Sequence, residues 1–192
     1  DHNETANSLK NKIIENINIS PTSSEYKYLY PQILFNYLSD PCKELIKKAH
    51  IDPMAMFFVA KSLIEEENGF PSVISIGISY LQRAYYKNCT EALIYKAYHL
   101  IKGKIIERDV KKAEQIIGFL KESEDHKKDL RLFLLKGLIY KQNKSYSKAF
   151  KKFQKGASEG NFECMFEMGK ILFIGQGCIK NIKKAIRYFK TS

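Results

Sequence analysis

Lys-Ala recurs at Lys112-Ala113, Lys148-Ala149 and Lys184-Ala185, each pair 36 residues from the next. A further 36 residues before Ala113 lies Gly77, another small residue. A bulky side chain follows each small one four positions later, at Leu81, Ile117, Phe153 and Phe189. Four residues is one helical turn, so each pair shares a helix face and lets that helix pack closely on a neighbour. A period of this length marks a repeat architecture, in which one supersecondary unit stacks on the next.

A second register precedes the first. Ala92, Ala97 and Leu100 lie 21, 16 and 13 residues before Ala113, and Cys164, Gly169 and Leu172 lie at the same distances before Ala185. Ala55, Ala60 and Leu63 follow suit before Gly77, with one residue inserted. Gly137 and Tyr140 take the equivalent sites in the third unit, where the turn is four residues shorter. Turn-forming residues fall between the registers at Asn68-Gly69-Phe70-Pro71, Lys102-Gly103-Lys104, Lys141-Gln142-Asn143-Lys144 and Gly175-Gln176-Gly177. Each unit therefore reads helix, turn, helix. The predicted fold is all-α, an α/α superhelical solenoid of about four hairpins over 42–192.

The stretch from Gly169 to Asn181, GKILFIGQGCIKN, tests that reading, because Gly-x-Gly beside lysine also suggests a phosphate cradle. A Walker loop needs four residues between its glycines and a following lysine. Gly169 and Gly175 are separated by five, and Gln176 follows. A dinucleotide fingerprint needs a preceding strand, and the preceding segment has helical spacing. Gly175 and Gly177 are predicted as turn residues, where left-handed backbone favours glycine.

Cys164-x3-Met168-Gly169-x2-Leu172-x2-Gly175-x-Gly177-Cys178-x2-Asn181-x2-Lys184-Ala185 resembles the Sel-1-like repeat, a tetratricopeptide-related motif. Ala92-x3-Lys96-Ala97-x2-Leu100-x2-Gly103-x-Ile105-Ile106-x2-Asp109-x2-Lys112-Ala113 follows the same spacing with more substitutions. The first and third units are degenerate versions. The resemblance implies tandem helix hairpins used to hold other proteins together. A shortened unit running into a full Gly-x-Gly unit is similar to the C-terminal part of the Sel-type lumenal adaptors of ER-associated degradation ubiquitin ligases. That likeness implies a membrane ligase as partner. Chitin-synthase activators, which are cytoplasmic regulatory adaptors, carry related repeats and supply a second expectation.

Residues 1–41 depart from the repeat. Asp1 to Ile13 is polar, Ile19 to Ser24 is turn-rich, and Tyr28 to Leu38 is predicted to cap the open end of the solenoid. No apolar run is long enough to span a membrane.

Net charge is +11 and lies in one half. Residues 1–96 carry 10 Lys+Arg against 11 Asp+Glu, and residues 97–192 carry 22 against 10. Either the C-terminal half meets an acidic partner or it has a solvated lysine face. Lys148, Lys151, Lys152, Lys155, Lys183, Lys184, Arg187 and Lys190 fall on predicted second helices, which keeps a nucleic-acid- or ribosome-associated role as a rival. No nucleic-acid module accompanies the charge.

Nothing in the sequence assembles a catalytic site, and no enzyme activity or cofactor is predicted. His2, His50, His99 and His126 fall in different units without metal-ligand spacing, and there is no Gly-x-Ser-x-Gly. Cys42, Cys89, Cys164 and Cys178 form no Cys-x-x-Cys, so small buried thiols are a better reading than zinc ligands or two disulfides.

Protein binding is the leading function. Solenoids bind along a concave surface lined by the first helix of each hairpin. Phe57, Ile94, Leu134 and Phe166 stand three residues before the small site of each first helix, and Lys61, Tyr98, Leu138 and Lys170 stand one after it. These two rows either line a partner-binding groove or pack one hairpin on the next. Asn3, Asn18, Asn88 and Asn143 begin N-x-[ST] sequons. The count of asparagine, serine and threonine predicts about one by chance, which favours an endoplasmic reticulum lumen over the cytoplasm.

Overall fold

The computed structural model describes residues 35, 36 and 38–192. The polar segment 1–13, the turn-rich 19–24 and most of the helix expected over Tyr28–Leu38 lie outside the described residues. The described residues fall into two compact units, divided between Ala92 and Leu93. Nine helices and no strands occur among the described residues: α1 (Asp40–Lys48), α2 (Pro53–Glu65), α3 (Ile74–Tyr86), α4 (Thr90–Lys102), α5 (Val110–Glu122), α6 (Arg131–Gln142), α7 (Tyr146–Ser158), α8 (Phe162–Ile174) and α9 (Ile182–Thr191). This is an all-α repeat fold. In the first unit α2 packs on α1 and α3, and in the second α6 packs on α7, α7 on α8, and α8 on α9.

Ala113, Ala149, Ala185 and Gly77 are all buried, as the 36-residue period predicts. Glycine on one helix receives a large side chain from its partner. A methyl group on Gly137 of α6 would overlap the ring of Phe153 of α7, which is itself fully buried. A methyl on Gly169 of α8 would lie 2.5 Å from the ring of Phe189 of α9. At the same register the other two units carry Ala60 with Leu81 and Ala97 with Ile117. Glycine accompanies phenylalanine and alanine accompanies an aliphatic side chain, so the volume at the crossing stays roughly constant.

One backbone hydrogen bond recurs in every turn. The N–H of Val73, Asp109, Ser145 and Asn181 donates to the carbonyl of Leu63, Leu100, Tyr140 and Leu172, at 2.8, 3.1, 2.8 and 2.9 Å. Each donor stands four residues before the small site at Gly77, Ala113, Ala149 or Ala185. Each acceptor is the matching Leu or Tyr of the first helix. The bond therefore spans the inserted residue of the first turn and the shortened third turn alike. Two donors also cap the helix they precede: Asp109 Oδ1 accepts from Lys112 N–H and Asn181 Oδ1 from Lys184 N–H, both at 2.9 Å.

Both glycines of Gly175-x-Gly177 have positive φ, 85° and 73°. Gly175 ends α8 as a left-handed cap. Gly177 has a second reason to lack a side chain, because a methyl there would sit 2.5 Å from the backbone carbonyl carbon of Tyr146 at the start of α7. The stretch is a tight turn set against the preceding repeat. The four cysteines are thiols; Cys42, Cys89 and Cys164 are buried, and burial pushes Cys164 up to about 12.

Lys96 departs from the apolar pattern. It holds the register position of Met168, and only 4% of it is exposed. Burial, helped by Lys112, lowers its pKa from 10.5 to about 8. A folded pKa below the unfolded one destabilises the fold wherever both states are protonated, below about 8. That penalty fades as pH rises toward 10.5. Lys96→Met is therefore expected to raise the Tm by several degrees near neutral pH. Its advantage over wild type should shrink in scans at a pH near the upper end of that window, and a constant advantage would show that the charge is not the cause.

Gly137→Ala gives a sharper expectation, because alanine in a helix interior ordinarily gains about 1 kcal/mol over glycine. Gly118 of α5 has open space around its missing side chain and should show that gain. Gly137→Ala should instead lose about 1–3 kcal/mol through overpacking against Phe153. Adding Phe153→Leu should recover part of the loss, in a denaturation double-mutant cycle, by recreating the Ala/Leu pairing of the first repeat.

Candidate functional site

Three helices of the second compact unit present side chains at helical spacing to one groove of about 530 Å³. Tyr98 and Lys102 come from α4, and Leu134 and Leu138 from α6. Phe162, Glu163, Phe166, Glu167 and Lys170 come from α8, with Phe189 and Ser192 at the end of α9. Intervals of three and four residues place each set on one face of its helix.

The floor is apolar and closed, since Leu134 and Leu138 are buried. Phe166 stands above it with 45% of its surface exposed. Its ring meets Phe189 edge-on at 5.7 Å between centroids, and Phe189 in turn lies against Gly169. The close approach inside the hairpin thus fixes one wall of the groove. Lys170 Nζ lies 4.1 Å from the Phe166 ring centroid and Lys102 Nζ 5.5 Å from that of Tyr98, both within cation–π range.

The polar end centres on Glu167, which is 5% exposed. Its Oε2 accepts from Lys141 Nζ at 2.7 Å and its Oε1 from Lys170 Nζ at 2.9 Å. Burial pushes the Glu167 carboxyl up, but these two ammonium donors outweigh it and hold the pKa below 4.5. Lys102 feels the same cluster from α4. Burial lowers its pKa first; Glu167 opposes that, and the like charges of Lys141, Lys170 and Lys104 add to it. Two lysines therefore bond one carboxylate, and a third lies within its field. Among the described residues no group of His, Cys, Asp and Glu is arranged to hold a metal ion, and no helix is long and apolar enough to cross a membrane.

Of the eight residues expected along the groove, Tyr98, Leu134, Leu138, Phe166 and Lys170 line this one. Ile94 is buried and is not among its walls. Phe57 and Lys61 belong to the first compact unit. There Phe57 is only 8% exposed, and Lys61 pairs with Glu65 at 3.2 Å and Glu67 at 3.0 Å. Sequence reasoning missed Lys102, Lys141 and Glu167. The signal for Lys102 was present, since it stands four residues after Tyr98 on one helix face. The same signal was present for Glu167, three residues before Lys170 on one helix, whereas Lys141 gave none, because it lies 26 residues from Glu167 on another helix.

Comparison with known proteins agrees with this architecture. The Sel1 repeat family model matches residues 53–89, 131–161 and 162–192, more than half of the chain. Those segments are the helix pairs α2–α3, α6–α7 and α8–α9. The ranking expected from spacing is reversed, since the degenerate first and third units match and the better-spaced second does not; that stretch holds Lys96 at an apolar position and Ile105 where the last repeat has Gly177. A crystal structure of a Sel1 repeat protein from Oxalobacter formigenes is similar, with a TM-score of 0.56 and 20% identity over 98% of this chain and 82% of that one. The protective antigen c5321 of uropathogenic Escherichia coli, which displays an SLR fold, gives a TM-score of 0.38 and 14% identity over 79% of this chain and 40% of its own. No curated protein sequence matches the chain significantly. With three matched repeats on helix pairs closed by one recurring hydrogen bond, the chain belongs to the Sel1 repeat family.

Proposed function

We propose that the chain is a non-enzymatic adaptor that seats a segment of another protein in the groove formed by α4, α6 and α8. Sel1 repeat proteins are interaction scaffolds, and the observation that supports this site is Phe166. A half-exposed aromatic ring braced by Phe189 over a buried leucine floor is an anchor of the kind that carries binding energy. Phe166→Ala should weaken capture of a native partner by about 1–4 kcal/mol and leave the Tm near wild type. The buried Phe57 provides the contrast: Phe57→Ala should cost about 3–5 kcal/mol of stability. A large fall in Tm for Phe166→Ala, with capture intact, would place the side chain in the core and the partner site elsewhere.

A finer reading is a lumenal adaptor of an ER-associated degradation ligase. Its support is the order of a short repeat followed by a full Gly-x-Gly repeat, together with the sequons. Asn88 and Asn143 are exposed and stand in turns, where a glycan would meet no packed neighbour. The cytoplasmic alternative, a regulatory adaptor of the chitin-synthase-activator type, needs no glycan. Protein purified from its native source should lose mass on endoglycosidase treatment, with the shift reduced by Asn88→Gln and Asn143→Gln together and abolished when Asn3→Gln and Asn18→Gln are added. An unchanged mass removes the support for the lumen.

A further inference from the structure

The groove has two chemically distinct ends, and its polar end is rich in cation. Glu167 gives one carboxylate oxygen to Lys141 and the other to Lys170. Each ammonium has three donors, so each retains donors beyond the one that Glu167 takes. Lys102 adds a third ammonium from α4, and the side chains of Lys141 and Lys170 are about a third exposed. The cluster therefore favours a further anion. Phe166 lies within 4.1 Å of one of these ammonium groups, so apolar and anionic recognition sit one side chain apart.

We propose that the groove recognises an internal acidic–apolar peptide segment, an Asp or Glu side chain meeting Lys102 and Lys170 while an adjacent large apolar side chain packs on Phe166 over Leu134 and Leu138. This rests on reading the groove as the partner site. Glu163 also lines the groove, one helical turn before Glu167, but it is not among the charges acting on Lys102. At the polar end the ammonium groups of Lys102, Lys141 and Lys170 face the single carboxylate of Glu167, and charge complementarity there selects an acidic segment over a basic one. Glu167 acts as a positioning residue in this arrangement, holding Lys170 beside the ring.

The test exposes the labelled full chain to random decapeptides, acetylated and amidated so that side chains supply the only carboxylates. Asp or Glu within two positions of Phe, Leu or Tyr is the expected enrichment. Binding of the selected peptides should fall about tenfold or more in Lys102→Gln/Lys170→Gln. It should hold in Lys148→Gln/Lys151→Gln, which removes the same charge from α7, with circular dichroism confirming that both variants fold. Equal losses in the two double variants would make the effect one of bulk charge and overturn the inference. Selected peptides without acidic residues, yet dependent on Phe166, would overturn it and leave the groove reading standing. Peptides indifferent to Phe166→Ala would overturn both, as would steep, salt-dependent binding of an RNA oligonucleotide in their place.

Discussion

The fold depends on how closely two helices approach at one small residue. Gly137 and Gly169 have no side chain because the rings of Phe153 and Phe189 occupy that volume. Moving the helices apart by the width of a methyl group would strip contacts from every neighbour in a close-packed interior. The same approach reaches the groove directly. Phe189 lies against Gly169 on one side and meets Phe166 on the other, so the anchor is held by the crossing that holds the hairpin.

Most of the fold was legible because its information is periodic. Gly77, Ala113, Ala149 and Ala185 are spaced evenly, and their burial follows from geometry that any helix obeys. Even the offsets of the turns, one residue longer and four shorter, are physical, since the closing hydrogen bond absorbs them. The site was half legible. Tyr98, Leu134, Leu138, Phe166 and Lys170 obey the repeat register and line the groove. The ion cluster obeys it only in part: Glu167 and Lys170 stand three residues apart on one helix, but Lys141 reaches Glu167, and Lys102 comes under its charge, from other helices that only the assembled fold brings near. Periodicity finds positions that recur; a charge used once has no period.

Lys96 illustrates the opposite trade. By register it should be apolar, and its burial costs stability near neutral pH. That lysine sits in the stretch that the family model leaves unmatched, on the helix that also carries Tyr98 and Lys102. α4 thus carries one departure from the register, and it supplies one side of the groove.

The recurring turn bond has a consequence for how such a chain changes over time. It joins two main-chain groups and is blind to every side chain between them. Ten residues separate donor from acceptor in the first repeat, nine in the second and fourth, and five in the third. Insertions and deletions are thus absorbed locally, and the helices on either side keep their facing. Each turn behaves as a splice junction of adjustable length. Foreign loops can be accepted there without disturbing the crossing below, save in the fourth turn, where Gly177 is packed on the start of α7, and the other turns are the natural ports for grafting new sequence onto the repeat.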